Sequence, residues 1–391
     1  MGGEAREVDE GSEGKESQDR EGGQGTTLEA LGCDVSGPMW GSDLLSSDPS
    51  VIGNVHNGFA SAGADIIETA TYQMTLPALM ADHTRQQSEG IMRSAVQIAS
   101  EADGTSSRQV ALSLGPFGAT LRPGQEYAGI YPPPYGPALP SSTERTNAFP
   151  TTADGQGAQQ NAVEALAQLH LERLLVFAED EDTWRKVDWV AFETVPVLHE
   201  VRGIRLAMGK LHEELSRRYE QSGSGGREWW DKRFWITCPF PDGSHPQLLP
   251  AGGHATVDDL LSALLSPNPG TRNPDGIGIN CTHPSHLVHL LPAFTDGLSR
   301  LNATVHPEPD RGEERKPWFV LYPDGGATYD VVSRTWTTRS FGPEGWAREV
   351  ASAAKELVRV DGGVWGGVIV GGCCKAGFEE IGALRTELDR A

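Results

Sequence analysis

Residues 188–218 read DWVAFETVPVLHEVRGIRLAMGKLHEELSRR and contain one complete unit of the fold. The first part, residues 188–192, is a short and largely apolar run that predicts a buried β-strand. Apolar residues then recur at helical spacing over residues 197–218, which predicts an amphipathic helix. A strand followed by a helix of this length is the repeating unit of parallel α/β folds.

The same unit recurs along most of the chain. Further strand-like runs lie at residues 64–69, 109–114, 234–238, 276–280, 317–322 and 367–371. Further helical patterns lie at residues 49–62, 75–101, 158–180, 256–265, 284–294, 343–358 and 376–388. This alternation favours an α/β fold, a (β/α)8 TIM barrel whose first strand is weak or irregular. An open doubly wound sheet is less favoured, because the glycines at 22–25 follow no apolar strand.

Segments that lack this alternation define the predicted domain organisation. Residues 1–21 are acidic and poor in apolar side chains, so we expect them to be disordered. Residues 22–391 form a single predicted barrel domain. Surface insertions are expected near 122–157, 219–232 and 302–316, because the strand–helix pattern resumes after each of them.

Composition excludes several functional classes. The 391-residue chain has a net charge of −22, which disfavours nucleic acid and anionic membrane surfaces as partners. No run approaches 18 apolar residues and the N-terminus has no apolar core, so we expect neither a transmembrane helix nor a signal peptide. We therefore expect a cytoplasmic protein that acts on small molecules. The oligomeric state and the role of the 122–157 insertion stay open.

The five cysteines divide according to their position relative to the predicted strands. Active sites of barrels lie at the carboxyl ends of the strands, where Cys281 follows the strand at 276–280 and Cys373 and Cys374 follow the last strand. Three thiolates suit zinc, and a fourth, open position is typical of a catalytic site. The spacing matches no zinc-finger pattern, so three unrelated cysteines remain an equal alternative at this point. Cys33 and Cys238 are interpreted as ordinary free cysteines, and no disulfide framework is expected.

Histidines after the predicted sixth strand offer another possible set of metal ligands. His283, His286 and His289 follow Cys281 at steps of three residues. Such steps on a helix drift around its surface, so we do not expect these side chains to converge on one ion.

Several motifs, taken in order, resemble those of the homocysteine S-methyltransferases. They are GADIIETATYQ (63–73), LGPFGA (114–119), AFET (191–194), GINC (278–281), LYPDGG (321–326) and GGCC (371–374). Together they run from about residue 22 to the C-terminus. The resemblance is to the branch that uses S-methylmethionine or S-adenosylmethionine, and not to the betaine-dependent branch.

The resemblance implies a zinc-dependent methyl transfer to homocysteine that forms methionine. It implies one Zn²⁺ per chain, held by Cys281, Cys373 and Cys374, with the substrate thiol as fourth ligand. No catalytic residue beyond the zinc site is implied, because a sulfonium donor needs no further activation. Glu193 is expected to hold the amino group of homocysteine. The remaining residues expected to line the substrate pocket are Asn280, Thr194, Glu21, Gly22, Glu68, Thr71 and Tyr72.

The sequence departs from the family pattern at its first strand. Glu21 stands where the family has aspartate before Gly22-Gly23, and residues 14–20 are polar. A buried parallel strand is normally a nearly continuous apolar run. Two alternatives follow from this departure: a zinc-binding homologue with impaired activity, or a gene start or exon that was assigned incorrectly. A methyltransferase that acts on another thiol or selenol, such as selenocysteine, is a separate alternative. The preferred methyl donor also stays open.

Overall fold

The computed structural model describes residues 17–37, 39–104, 108–139, 145–219, 229–304, 316–327, 329–330, 335–336, 342–359 and 363–390. Within these ranges, none of the helices has the length and apolar character required to cross a bilayer.

Eight parallel strands form the central sheet, which confirms the predicted (β/α)8 architecture. In spatial order they are β1, β10, β7, β6, β5, β4, β3 and β2. Their bounds are β1 Ser17–Asp19, β2 Ile66–Glu68, β3 Gln109–Leu114, β4 Trp189–Phe192, β5 Arg233–Pro239, β6 Gly276–Asn280, β7 Trp318–Tyr322 and β10 Val368–Val370. Between β7 and β10 the short strands β8 (Tyr329–Asp330) and β9 (Thr335–Trp336) pair antiparallel as a separate hairpin.

Helices follow the strands and cover the outside of the sheet. They are α1 Gln24–Ala30, α2 Leu44–Ser47, α3 Pro49–Ala62, α4 Leu76–Leu79, α5 Arg85–Ser100, α6 Ala153–Ala178, α7 Glu181–Lys186, α8 Leu198–Tyr219, α9 Val257–Leu265, α10 Leu287–Thr304, α11 Pro343–Arg359 and α12 Phe378–Asp389. Short 3₁₀ helices lie at Ala102–Gly104, Phe117–Thr120 and Pro284–His286.

The apolar core has two layers. The larger layer lies between the sheet and the surrounding helices, and it includes Phe192, Phe234 and Leu321. A smaller cluster that includes Trp189 and Trp235 packs inside the barrel. Alternate residues of a strand point to opposite faces, so a strand that is buried on both faces is largely apolar. Strands β3 to β7 are buried along almost their whole length and have such sequences.

The first strand is present, short and polar. Residues Ser17–Asp19 pair in parallel with Val368–Val370, and Arg20 bridges Ile66 on the other side. The barrel is therefore nearly closed, and the expected weak first strand is confirmed. The prediction of disorder over 1–21 is wrong for residues 17–21, because pairing with two neighbouring strands compensates for their polar composition. Residues 1–16 lie outside the described part of the chain.

Several helix boundaries differ from the sequence patterns; for example, the pattern at 284–294 corresponds to the 3₁₀ helix Pro284–His286 followed by α10, which extends to Thr304. The predicted helix 75–101 is divided into α4 and α5, since Thr84 begins a new helix with a capping box to Gln87. The described parts of the 122–157 insertion are largely irregular, but α6 begins at Ala153, capped by the Thr152 side chain. Most of the insertions at 219–232 and 302–316 lies outside the described residues.

Candidate functional site

A cavity opens at the carboxyl ends of the barrel strands. Its wall includes the loops after β1, β2, β4, β6 and β10, as the barrel fold requires of an active site. Most of the residues predicted to bind substrate or metal line it: Glu21, Gly22, Glu68, Tyr72, Glu193, Thr194, Asn280, Cys281, Cys373 and Cys374.

The three predicted metal-binding cysteines converge in this cavity. The sulfur atoms of Cys281, Cys373 and Cys374 all lie within 4.8 Å of one another, and all three residues are partly buried. Cys281 and Cys373 lie side by side, with their Cα atoms 5.5 Å apart and their sulfur atoms in contact. Cys33 and Cys238 remain free cysteines, as expected.

Backbone hydrogen bonds fix the loop that carries two of these cysteines. The amide of Cys373 donates to the carbonyl of Pro323 at 2.8 Å, and the amide of Gly325 donates to the carbonyl of Cys374 at 2.8 Å. The Cys281 amide donates to the carbonyl of Tyr322 at 3.2 Å. The main chain of each cysteine is therefore hydrogen-bonded to the end of β7 or to the loop that follows it. These bonds keep the three cysteines close to one another.

The donor set fits a zinc ion. Three cysteine sulfurs that meet at one point and face a cavity are the ligand arrangement of a zinc site with an open position. Burial, with a smaller contribution from the nearby carboxylate of Asp324, raises the pKa of the Cys374 thiol to about 12. A thiolate at this position therefore needs a cation beside it, which a bound metal supplies.

Histidines do not join this cluster in the described part of the chain. His283 begins the 3₁₀ helix at Pro284–His286, where its Nδ1 lies 2.8 Å from the hydroxyl of Ser285. The expectation that the histidines after β6 do not converge on an ion with Cys281 agrees with this placement.

Asn280 connects the cysteine cluster to the loop after β4. Its side-chain Nδ2 lies 3.2 Å from Cys281 Sγ and 2.7 Å from Thr194 Oγ1, while its Oδ1 accepts the Thr194 amide at 2.9 Å. Thr194 and Cys281 both adopt left-handed backbone conformations, with φ values of 60° and 47°. Such conformations are disfavoured for non-glycine residues and are often found at functional sites.

A buried ionic cluster lies at the mouth of the barrel. The guanidinium of Arg20 contacts both carboxylate oxygens of Glu68, and its Nη2 also lies 3.1 Å from Glu193 Oε2. Its Nη1 donates to the carbonyl oxygens of Glu21 at 3.1 Å and Gly372 at 2.6 Å. The guanidinium also stacks 3.9 Å from the centre of the Tyr322 ring. Arg20 thus connects the loops after β1, β2, β4 and β10.

The charges of this cluster do not cancel. One guanidinium faces two carboxylates, and all three side chains are nearly inaccessible to solvent. Burial raises the pKa of Glu193 above its ordinary value, while Arg20 and a hydrogen bond from Ser113 act in the opposite direction. Burial also raises the pKa of Glu68, against the opposing effect of Arg20. With both carboxylates ionised the cluster would have an excess negative charge, so it either retains a proton, as the raised pKa values indicate, or binds a ligand with a positive charge.

The other residues predicted to bind substrate lie in different environments. A methyl group at Gly22 would lie 2.1 Å from the carbonyl oxygen of Ala376, so only glycine fits there. The Glu21 carboxylate lies 3.4 Å from His56 Nδ1 and is buried. Thr71 was expected to line the substrate pocket, but its hydroxyl donates to the carbonyl of Ser113 at 2.7 Å and is not part of the cavity wall.

Arg20, Ser113, Glu126 and Tyr127 are among the cavity-lining residues that sequence reasoning missed. Arg20 and Ser113 contact Glu193, and Glu126 and Tyr127 come from the predicted insertion. Arg20 is a charged residue two positions before the glycine pair, which was a signal for it. Ser113 lies within a predicted strand, whereas Glu126 and Tyr127 lie in a segment whose orientation the strand–helix pattern does not determine.

The chain matches a protein-family model over nearly its whole length. The model described as homocysteine S-methyltransferase matches residues 20–388. The chain belongs to the homocysteine S-methyltransferase family. It is therefore an enzyme of the methyltransferase class, as its motifs predicted.

Individual relatives are similar over nearly their whole length. Homocysteine S-methyltransferase 2 of Zea mays is 26% identical over 385 residues, which cover 95% of this chain and 89% of the relative. Selenocysteine Se-methyltransferase of Brassica oleracea var. italica is also 26% identical, covering 94% and 88% of the two chains. The metallated form of the homocysteine methyltransferase MmuM from Escherichia coli has a TM-score of 0.58 at 22% identity, covering 96% and 97%, which supports the fold.

Proposed function

We propose that this enzyme transfers a methyl group from a sulfonium donor, S-methylmethionine or S-adenosylmethionine, to the thiol of L-homocysteine, with one Zn²⁺ per chain. The observation that carries the proposal is the meeting of Cys281, Cys373 and Cys374 beside a buried carboxylate cluster in one cavity. Membership of the family limits the reaction to methyl transfer. The three cysteine sulfurs support zinc as the metal.

The cysteine sulfurs of this site would hold the zinc ion. When bound, zinc supplies positive charge that lowers the pKa of a coordinated thiol, so the substrate sulfur becomes a thiolate at neutral pH. Asn280 donates toward Cys281 Sγ and so orients this ligand. A neutral amide is suited to this role, since it stabilises a thiolate without adding a charge.

Glu193 would receive the ammonium group of homocysteine. Its carboxylate is fixed by Ser113 and by Arg20, and it lines the same cavity as the three cysteines. Because Arg20 balances only one of the two carboxylates of Glu68 and Glu193, a cation at this position can replace the proton that the cluster otherwise retains. The amino acid end of the substrate is then directed into the barrel, and its thiol toward the cysteines.

The chemical step itself requires little from acids or bases. The homocysteine thiolate sulfur forms a bond to the methyl carbon, and the bond from that carbon to the donor sulfur breaks. The electron pair stays on the donor sulfur, which leaves as a neutral thioether. The protein therefore contributes chiefly by aligning the two sulfur atoms on either side of the methyl group.

Metal analysis combined with a methyl-transfer assay tests this proposal. The purified full chain is expected to contain one equivalent of zinc and to form methionine from homocysteine with S-methylmethionine or S-adenosylmethionine. Cys373→Ser is expected to lose zinc and activity together. Zinc without methionine formation would indicate an impaired homologue, and full activity in Cys373→Ser would contradict the three-cysteine site.

A second acceptor is supported by one observation. The relative from Brassica oleracea var. italica is named selenocysteine Se-methyltransferase and is as similar as the homocysteine methyltransferase from Zea mays. Selenocysteine also combines an ammonium group with a nucleophilic chalcogen. Comparing kcat/KM for homocysteine and selenocysteine with one donor would decide between them.

A further inference from the structure

The turn that carries Glu126 and Tyr127 is a fixed part of the cavity wall. The amide of Gln125 donates to the carbonyl of Gly118 at 2.9 Å, and the amide of Gly129 donates to the carbonyl of Gln125 at 2.7 Å. Asn147 from the far end of the same segment donates through Nδ2 to the carbonyl of Ala128 at 2.8 Å. The turn is therefore held on both sides.

Glu126 presents an unsatisfied carboxylate oxygen at this turn. Its Oε2 is shielded from solvent and has no hydrogen-bond partner among the described residues. Burial raises the pKa of Glu126, and neither its own backbone amide nor the exposed Arg122 restores the ordinary value. A buried carboxylate oxygen without a partner is unfavourable, so the site is incomplete as it stands.

Aromatic side chains surround the same part of the cavity. Tyr127 is 43% exposed and lines the cavity together with Tyr72 and Trp40. Tyr72 packs on the backbone at Gly115, where a Cβ would lie 2.8 Å from Tyr72 Cε2. Trp40 packs on Gly25, where a Cβ would lie 3.2 Å from Trp40 Cε2. Aromatic rings next to a carboxylate are a favourable environment for a cation.

The position and the charge of this wall distinguish it from the ionic cluster at the barrel mouth. Glu68 and Glu193 share Arg20, whereas Glu126 has no such partner among the described residues. Glu126 and Tyr127 line the same cavity as the three metal-binding cysteines.

We propose that Glu126 and Tyr127, with the rings of Tyr72 and Trp40, form the subsite that binds the positively charged sulfur of the methyl donor. The inference rests on the proposed function and adds the location and the charge preference of the donor site. A cationic sulfonium balances the negative charge of the Glu126 carboxylate, and its methyl groups contact the aromatic faces. On methyl transfer the donor becomes a neutral thioether, so the subsite loses its charge complement and favours release of that product.

Kinetics of two variants test the proposal in the zinc-loaded full chain. Glu126→Gln keeps the shape of the side chain and removes its charge, so the KM for S-methylmethionine should rise roughly tenfold, as for the loss of one close contact between opposite charges. Tyr127→Leu should raise the same KM by a smaller factor. The KM for homocysteine should change less than about twofold, because that substrate is proposed to bind through Glu193 and the cysteines and not through Glu126.

Controls keep this test separate from the proposed function. Glu172→Gln, on the exposed face of α6, should leave both KM values unchanged. Equilibrium dialysis with labelled S-methylmethionine and with methionine gives a readout that does not depend on turnover: the native chain should prefer the sulfonium, and Glu126→Gln should lose that preference. An unchanged preference in Glu126→Gln, or equal rises of both KM values, overturns the subsite. A native chain that binds S-methylmethionine selectively but forms no methionine contradicts the proposed function alone.

Discussion

Replacing Arg20 by methionine tests whether one guanidinium holds the mouth of the barrel together. The change keeps an unbranched side chain of similar length and removes the positive charge. Glu68 and Glu193 would then lie buried without a cation, and the carbonyl oxygens of Glu21 and Gly372 would lose their donor. We expect this variant to be much less stable than the native chain.

The magnitude of this loss follows from the charges in the cluster. Removal of one partner from a buried ion pair costs about 3–5 kcal/mol. The cluster can avoid a bare charge by taking up one further proton. At pH 7.5 a carboxyl group with an unfolded pKa of about 4.3 pays roughly 4 kcal/mol for that proton, but only about 1.6 kcal/mol at pH 5.5. The destabilisation should therefore decrease by more than half between these two pH values.

Urea unfolding followed by tryptophan fluorescence measures this effect at both pH values. Arg300→Met is a matched control, because Arg300 is 61% exposed and pairs with Asp258 on the surface, where such pairs contribute little. The double variant Arg20→Met/Glu68→Gln should recover part of the stability, since only one buried carboxylate remains. A loss in Arg20→Met no larger than in the control, or one that is independent of pH, would refute this account of the cluster.

Three further predictions concern other buried groups. Cys374→Ser should reduce bound zinc from one equivalent to a small fraction in metal analysis, and retention of a full equivalent would show that Cys374 is not a ligand. Tyr131→Phe removes a donor 2.6 Å from the buried carboxylate of Glu200, so the free energy of unfolding in urea should fall by about 1.5–3 kcal/mol. Burial raises the pKa of Asp19 to about 7, against the opposing effect of Arg385, and burial also raises the pKa of Glu68. Because the folded state then retains protons that the unfolded chain has released, and unfolded histidines are largely neutral above about pH 6.5, Tm should fall as pH rises from about 6.5 to 8, and a Tm that rises over this range would contradict these shifts.

Most of the barrel could be predicted because its inner strands are apolar on both faces. The pattern predicted the strands Gln109–Leu114 and Gly276–Asn280 with the bounds that the structure shows, and likewise the helix Pro49–Ala62. In these segments, local pattern and tertiary burial favour the same conformation, so a single sequence contains the information needed.

The first strand could not be predicted because its stabilisation is not local. Residues Ser17–Asp19 have no apolar pattern, and they are ordered by partners about 50 and 350 positions away, near Ile66 and Val368. For the same reason the sequence did not reveal that Arg20 contacts Glu193. Motifs indicated which cysteines belong to the site, while the interactions that hold them required coordinates.

The hydrogen bond between Arg20 and the carbonyl of Gly372 joins residues 352 positions apart in the sequence. During synthesis the N-terminal strand therefore leaves the ribosome long before its partner exists. At typical elongation rates of about 5–20 residues per second, this interval is on the order of 20–70 s. Throughout that time two acidic side chains and one arginine remain hydrated in an unfinished barrel. The cavity can acquire its final shape only when the last strand is released, so a nascent chain stalled before β10 should retain helices and central strands without any competent site.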